Sequence, residues 1–123
     1  MFLLVLVLNQ TNKLEKILQK LYEAGITGTT VIDSQGWGET TMENLPFFGG
    51  IRSILSGKLS HNKVLFSVIN SEEKTKNAIQ VIETVTGDLE AGGKGILFTL
   101  PLHQVKGIAP PFNEPTDSEQ TGG

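Results

Sequence analysis

The sequence has no cysteine, which excludes disulfides and thiolate zinc sites and leaves the redox compartment open. It also lacks any run of basic residues. From Gly107 onward there is neither Lys nor Arg, while Glu114, Asp117 and Glu119 are present. Those acids account for the whole formal net charge of −3, so residues 1–106 are formally neutral. A neutral body is poor equipment for neutralising a phosphate backbone, and no nucleic-acid partner is expected. No apolar run is long enough to span a bilayer. The N-terminal stretch Phe2–Leu8 lacks a basic leader and a small-residue cleavage site, so it reads as a buried strand rather than a signal peptide. Cytoplasmic residence without membrane insertion is the resulting expectation. His61 and His103 stand far apart with no paired-ligand spacing, which favours surface or pocket-lining histidines over metal ligands. Asp33-Ser34 beside either histidine makes no triad, because no strained G-x-S-x-G elbow is present. With no catalytic constellation, the chain does not read as an enzyme, and no cofactor is obligatory.

What the sequence does have is a long irregular segment, 39–62, between two strand patterns at 29–35 and 63–69. Compact domains keep so long a loop when it is functional or disordered, and this one is too apolar to read as a disordered linker. It contains Pro46, Phe47, Phe48, Ile51, Arg52, Ile54 and Leu55, and residues 50–56 could form a short helix. Aromatic residues beside an Arg are the usual anchors of a protein interface. Phe47, Phe48, Arg52, Ile54 and Leu55 are therefore candidate partner contacts. The alternative is that the two Phe fold back onto the chain's own core.

The remaining patterns complete a β-α-β-β-α-β order. Leu14, Ile17, Leu18, Leu21 and Tyr22 fall on one helical face, with Asn12 and Glu15 at capping-box spacing and Gly25 as the stop. Thr75, Ala78, Ile79, Ile82 and Val85 form the face of a second helix, introduced by Ser71-Glu72-Glu73 and closed by Gly87. Residues 95–100 make the fourth strand, with a brief further pairing at 105–108. The order predicts an α+β, ferredoxin-like antiparallel sheet with both helices on one face. Residues 1–108 form that domain, and 109–123 have the Pro, Gly and acidic content of a flexible tail. Phe2–Leu8 is apolar at both parities, so the second face of the sheet also wants cover. Association through that face is expected.

Two short motifs carry candidate chemistry. Gly36-Trp37-Gly38 closes the second strand: the glycines permit close backbone approach of a ligand, and Trp37 can stack on a flat ring or pack at an interface. Gly92-Gly93-Lys94 can offer backbone amides and a cation to phosphate oxygens, or serve only as a turn. It is not a P-loop, since no Gly lies five residues earlier and no Ser or Thr follows the Lys.

With AGITGTTVIDSQGWG running into the long loop, and TGDLEAGGKGILF before the fourth strand, the chain resembles the PII-like branch of the PII family of signalling proteins. The resemblance covers residues 2–108. It implies a homotrimer with a nucleotide cleft between subunits and a loop that docks onto a transporter, enzyme or regulator. It also implies that Lys94 meets phosphate and that Thr30 reads the adenine edge. The departures bear on the ligand. The family's C-terminal arginines are missing and only Lys106 lies nearby; Glu39-Thr40 follows Gly38 where a basic or amide residue is usual; the only Tyr is Tyr22, outside the loop. Each missing cation costs a bound polyphosphate about 1–3 kcal/mol. The expected effector is therefore AMP, ADP or a cyclic nucleotide in preference to ATP. The competing expectation is an effector-independent adaptor that uses the same loop and has a vestigial cleft.

Overall fold

The computed structural model describes residues 1–37 and 59–108. Its elements are β1 (Phe2–Leu8), a 3-10 turn (Thr11–Lys13), α1 (Leu14–Glu23), β2 (Thr30–Trp37), β3 (Leu59–Ile69), α2 (Glu72–Thr86), a second 3-10 turn (Leu89–Ala91) and β4 (Gly95–Pro101). The sheet order is β2-β3-β1-β4, with every neighbouring pair antiparallel. This is the ferredoxin-like arrangement predicted from the element order.

The core follows from the pleat of β1. Leu4, Leu6 and Leu8 point to the helical side and are buried, joined there by Leu65 and Ile69 of β3. Ile17 and Leu21 of α1 and Ala78 and Ile82 of α2 complete the cluster, so both helices cover one face. Ser67 is also buried on this side, and its hydroxyl is satisfied by the Thr29 hydroxyl at 2.8 Å. Tyr22, placed by its spacing on the apolar face, is instead 63% exposed, because the buried stripe of α1 is narrower than the pattern implied.

The helix ends show where local chemistry holds and where it yields. At the end of α1, Gly25 N–H bonds to the Tyr22 carbonyl and Ile26 N–H to the Leu21 carbonyl, a Schellman closure that also buries Ile26. At the start of α2, the Ser71 hydroxyl accepts from Lys74 N–H at 3.0 Å. The expected Asn12–Glu15 capping box does not form. Asn12 lies inside the 3-10 turn, Lys13 holds the cap position, and no side chain caps α1.

Three boundaries differ from the sequence pattern. β2 extends to Trp37 and β3 begins at Leu59, so 59–62 are strand and the segment outside the described residues is 38–58. Residues 105–108 form no strand; the β1–β4 ladder is instead prolonged by Leu102 N–H on the Met1 carbonyl at 2.9 Å. Residues 109–123 lie outside the described residues.

Among the described residues nothing covers the face away from the helices, which is apolar. The registers place Leu3, Val5 and Val7 of β1 beside Val64, Phe66 and Val68 of β3, and beside Ile96, Phe98 and Leu100 of β4. The β4 trio is 65%, 43% and 44% exposed, and Ile32 of β2 adds another exposed apolar side chain. A contiguous apolar surface of this kind marks an interaction face.

Candidate functional site

The turn before β4 is built by its own backbone and two acids. Asp88 Oδ1 accepts from Glu90 N–H at 2.9 Å, and Glu83 Oε2 accepts from Leu89 N–H at 3.0 Å. Gly92 has φ 89° and ψ 156°, a region open essentially only to glycine, and Gly93 follows at φ 82°. This backbone folds Lys94 over the turn, where its ammonium donates to the Asp88 carbonyl at 3.3 Å. A cleft of about 430 Å³ opens between α2 and β4, lined by Ile79, Glu83, Asp88, Leu89, Glu90, Gly95, Ile96 and Leu97. Its ionisable groups are all acidic. An anionic lining of this kind penalises each additional phosphate charge brought into the cleft.

At the same end of the sheet stands the exit of β2. Gly36 pairs with Ser60, and Trp37 pairs with Leu59 at the mouth of segment 38–58. Trp37 is 64% exposed. The two motifs are joined by side chains at the ends of the central strands. The Asn62 amide, buried beneath Gly36, donates to Asn9 Oδ1, and the Asn9 amide donates to the Gly93 carbonyl at 3.4 Å. Asn9 N–H also bonds to the Lys94 carbonyl at 2.9 Å. The sequence pattern missed both asparagines: Asn9 lies just past the first strand pattern, and Asn62 fell at the end of the supposed loop. The signal was the register, which carries the β1–β3 pairing one step past Leu8–Lys63 to set Asn9 opposite Asn62.

Gly36, Trp37, Gly92, Gly93 and Lys94 thus share one end of the sheet, but Thr30 does not. Thr30 pairs with Phe66, six residues along β2 from Gly36, which is about 20 Å at the rise of a strand. It sits exposed on the face away from the helices. Gly38, Phe47, Phe48, Arg52, Ile54 and Leu55 lie outside the described residues.

A second groove, about 650 Å³, runs along the upper part of β2 and β3, lined by Thr11, Asp33, Ser34, Gln35, His61, Asn62 and Lys63. Asp33 and His61, far apart in sequence, meet here. Asp33 is engaged by Lys63, whose hydrogen bond and positive charge hold its carboxyl below the usual range. Among the described residues no three His, Cys, Asp or Glu side chains gather as a metal site, and no helix is long and apolar enough to cross a membrane.

The family model for nitrogen regulatory protein P-II matches residues 2–110. The chain belongs to the P-II family. No curated protein matches it. Membership fits the sheet order, the two-helix cover and the position of the long segment between β2 and β3. It identifies a regulatory, signal-transducing protein class rather than an enzyme class.

Proposed function

We propose that this chain acts in the cytoplasm as a homotrimeric P-II-type sensor. An adenine nucleotide binds at the Gly36–Trp37 and Gly92–Lys94 end of the sheet, and segment 38–58 docks a protein target through Phe47, Phe48, Arg52, Ile54 and Leu55. The observation that carries this reading is the separation of Thr30 from that end. If Thr30 contributes to the nucleotide site, it must come from another copy, and the uncovered apolar face that bears it is the surface through which copies would pack. Among the described residues, the acids Glu83, Asp88 and Glu90 beside Lys94 favour AMP, ADP or a cyclic nucleotide over ATP. Nucleotide occupancy would bias segment 38–58 toward one docking state by population shift.

A thermal-shift panel tests this: ATP, ADP, AMP, cyclic AMP and cyclic dinucleotides, with and without magnesium, on wild type and Lys94→Ala. A ligand at one hundred times its Kd stabilises by about 2.7 kcal/mol. That corresponds to a rise in Tm on the order of 10 °C for a chain of this size. Such a rise with one nucleotide, lost in Lys94→Ala, supports the sensor. A flat panel overturns it in favour of the effector-independent adaptor. Tight ATP binding unaffected by Lys94→Ala overturns the low-phosphate preference.

A further inference from the structure

We propose that Asn62 and Asn9 are positioning residues that transmit the state of the Gly92–Lys94 turn to the neck of segment 38–58. The proposal rests on the reading that this turn binds the effector. The two amides donate in the same direction, Asn62 to Asn9 Oδ1 and Asn9 to the Gly93 carbonyl, so they form one polarised row from β3 to the turn. The far end of the row is in steric contact with β2. A Cβ built on Gly36 would stand 2.7 Å from Asn62 Oδ1 and 3.1 Å from Ser60 Oγ, so the Gly36 backbone rests directly on the Asn62 amide.

The row has little slack at its β3 end. Asn62 is only 5% exposed, so its amide cannot exchange its partner for water without opening the strand end. The link from Asn9 to Gly93 is longer and exposed, and the two glycines of the turn have nothing within 4 Å of a hypothetical Cβ, so the turn has room to move where the β3 end of the row does not. An anion that engages the backbone amides of the turn rotates the peptide carrying the Gly93 carbonyl. Asn9 then loses or reorients its acceptor, Asn62 follows, and Gly36 shifts with it. The backbone bond from Asn9 to Lys94 belongs to the β1–β4 ladder and holds the strand in place while the side-chain row responds.

Trp37, the single Trp of the chain, is adjacent to Gly36 and reports the neck by its emission. The test uses the full chain as wild type, Asn9→Ser and Asn62→Ser, each titrated with AMP and with ADP by calorimetry and by Trp37 fluorescence in parallel. The expected result is an affinity within threefold of wild type in both variants, with the Trp37 response reduced at least fivefold. An undiminished Trp37 response overturns the relay. A ligand-free arm separates this from the effector reading: Gly93→Ala displaces the turn directly and should shift Trp37 emission in wild type but not in Asn9→Ser, whose substitution is at an exposed site and leaves the core untouched. Equal shifts in both backgrounds overturn the relay whatever binds. Absent nucleotide binding with the background-dependent shift retained overturns the effector reading and supports the relay.

Discussion

Gly95 and Gly92 share a positive φ, but Gly95 has a second, steric reason to be glycine. A Cβ at Gly95 would lie 2.3 Å from the Val7 carbonyl oxygen, so the first residue of β4 is glycine because β1 backbone occupies the space. At Gly92 the space is open and only the dihedral angles exclude a side chain. Gly95→Ala should therefore cost about 1–3 kcal/mol by overpacking and also loosen the β1–β4 pairing. Gly92→Ala should cost a similar 1–3 kcal/mol through backbone strain alone, leaving that pairing intact. Urea unfolding gives both totals, and amide exchange at Val7 and Ile96, an opposed pair of the β1–β4 ladder, separates them: faster in Gly95→Ala, unchanged in Gly92→Ala. Asp33 offers a pH test of the same kind. Lys63 lowers its carboxyl pKa in the folded chain, so the contribution is present above the ordinary carboxylate pKa, near 4, and disappears as pH falls through the lower folded value. Asp33→Asn should lower Tm slightly at pH 7 and flatten the fall below about pH 4 by the same small amount, since the carboxylate is exposed and its pair is weak. The helix stops Gly25 and Gly87 were legible at this scale because their chemistry is local. The asparagines were not, since an amide bridging two strand ends acquires its meaning only from the register.

Among the elements, the two helices begin by different means, and this predicts unequal responses. Ser71 caps α2 with its hydroxyl, so Ser71→Ala should cost about 1 kcal/mol. Asn12 makes no cap bond to α1, so Asn12→Ala should change stability by less than about 0.5 kcal/mol. Thermal unfolding followed by circular dichroism measures both; equal losses would contradict the assigned cap. The capping-box spacing misled because spacing alone does not fix where the first turn begins. Here Gln10 accepts from Lys13 N–H at 2.9 Å, tightening residues 11–13 into a 3-10 turn and passing the helix start to Leu14. Strand interiors were readable from apolar runs and alternation. Strand ends were not: β3 begins with Leu59, Ser60, His61 and Asn62, a mixed stretch held in the sheet by its pairing with 34–37 rather than by its own pattern. The supposed loop was too long by those residues for that reason.

For the whole molecule the decisive feature is the sheet face opposite the helices. Continuous apolarity in β1 pointed to it in advance, since a strand covered on one side only would alternate. The structure extends it across the sheet as a row from Phe98 through Val5 to Phe66, with Thr30 at its far edge. On the proposed function the same row would link assembly to ligand binding. Packing copies through it would remove β4's Ile96, Phe98 and Leu100 from water and carry Thr30 toward another copy's effector end. Phe98→Glu should therefore do two things together. Sedimentation should show the mass falling from three times 13.3 kDa to a single chain, with far-UV circular dichroism retained because Phe98 lies outside the helical-side core. Nucleotide affinity should fall at least tenfold in the same preparation, although Gly36, Trp37 and Lys94 are untouched. Dissociation with affinity unchanged would mean that one chain holds the complete site and that Thr30 has no part in it. An unchanged mass would place the contact between copies elsewhere and leave the apolar face to a different partner.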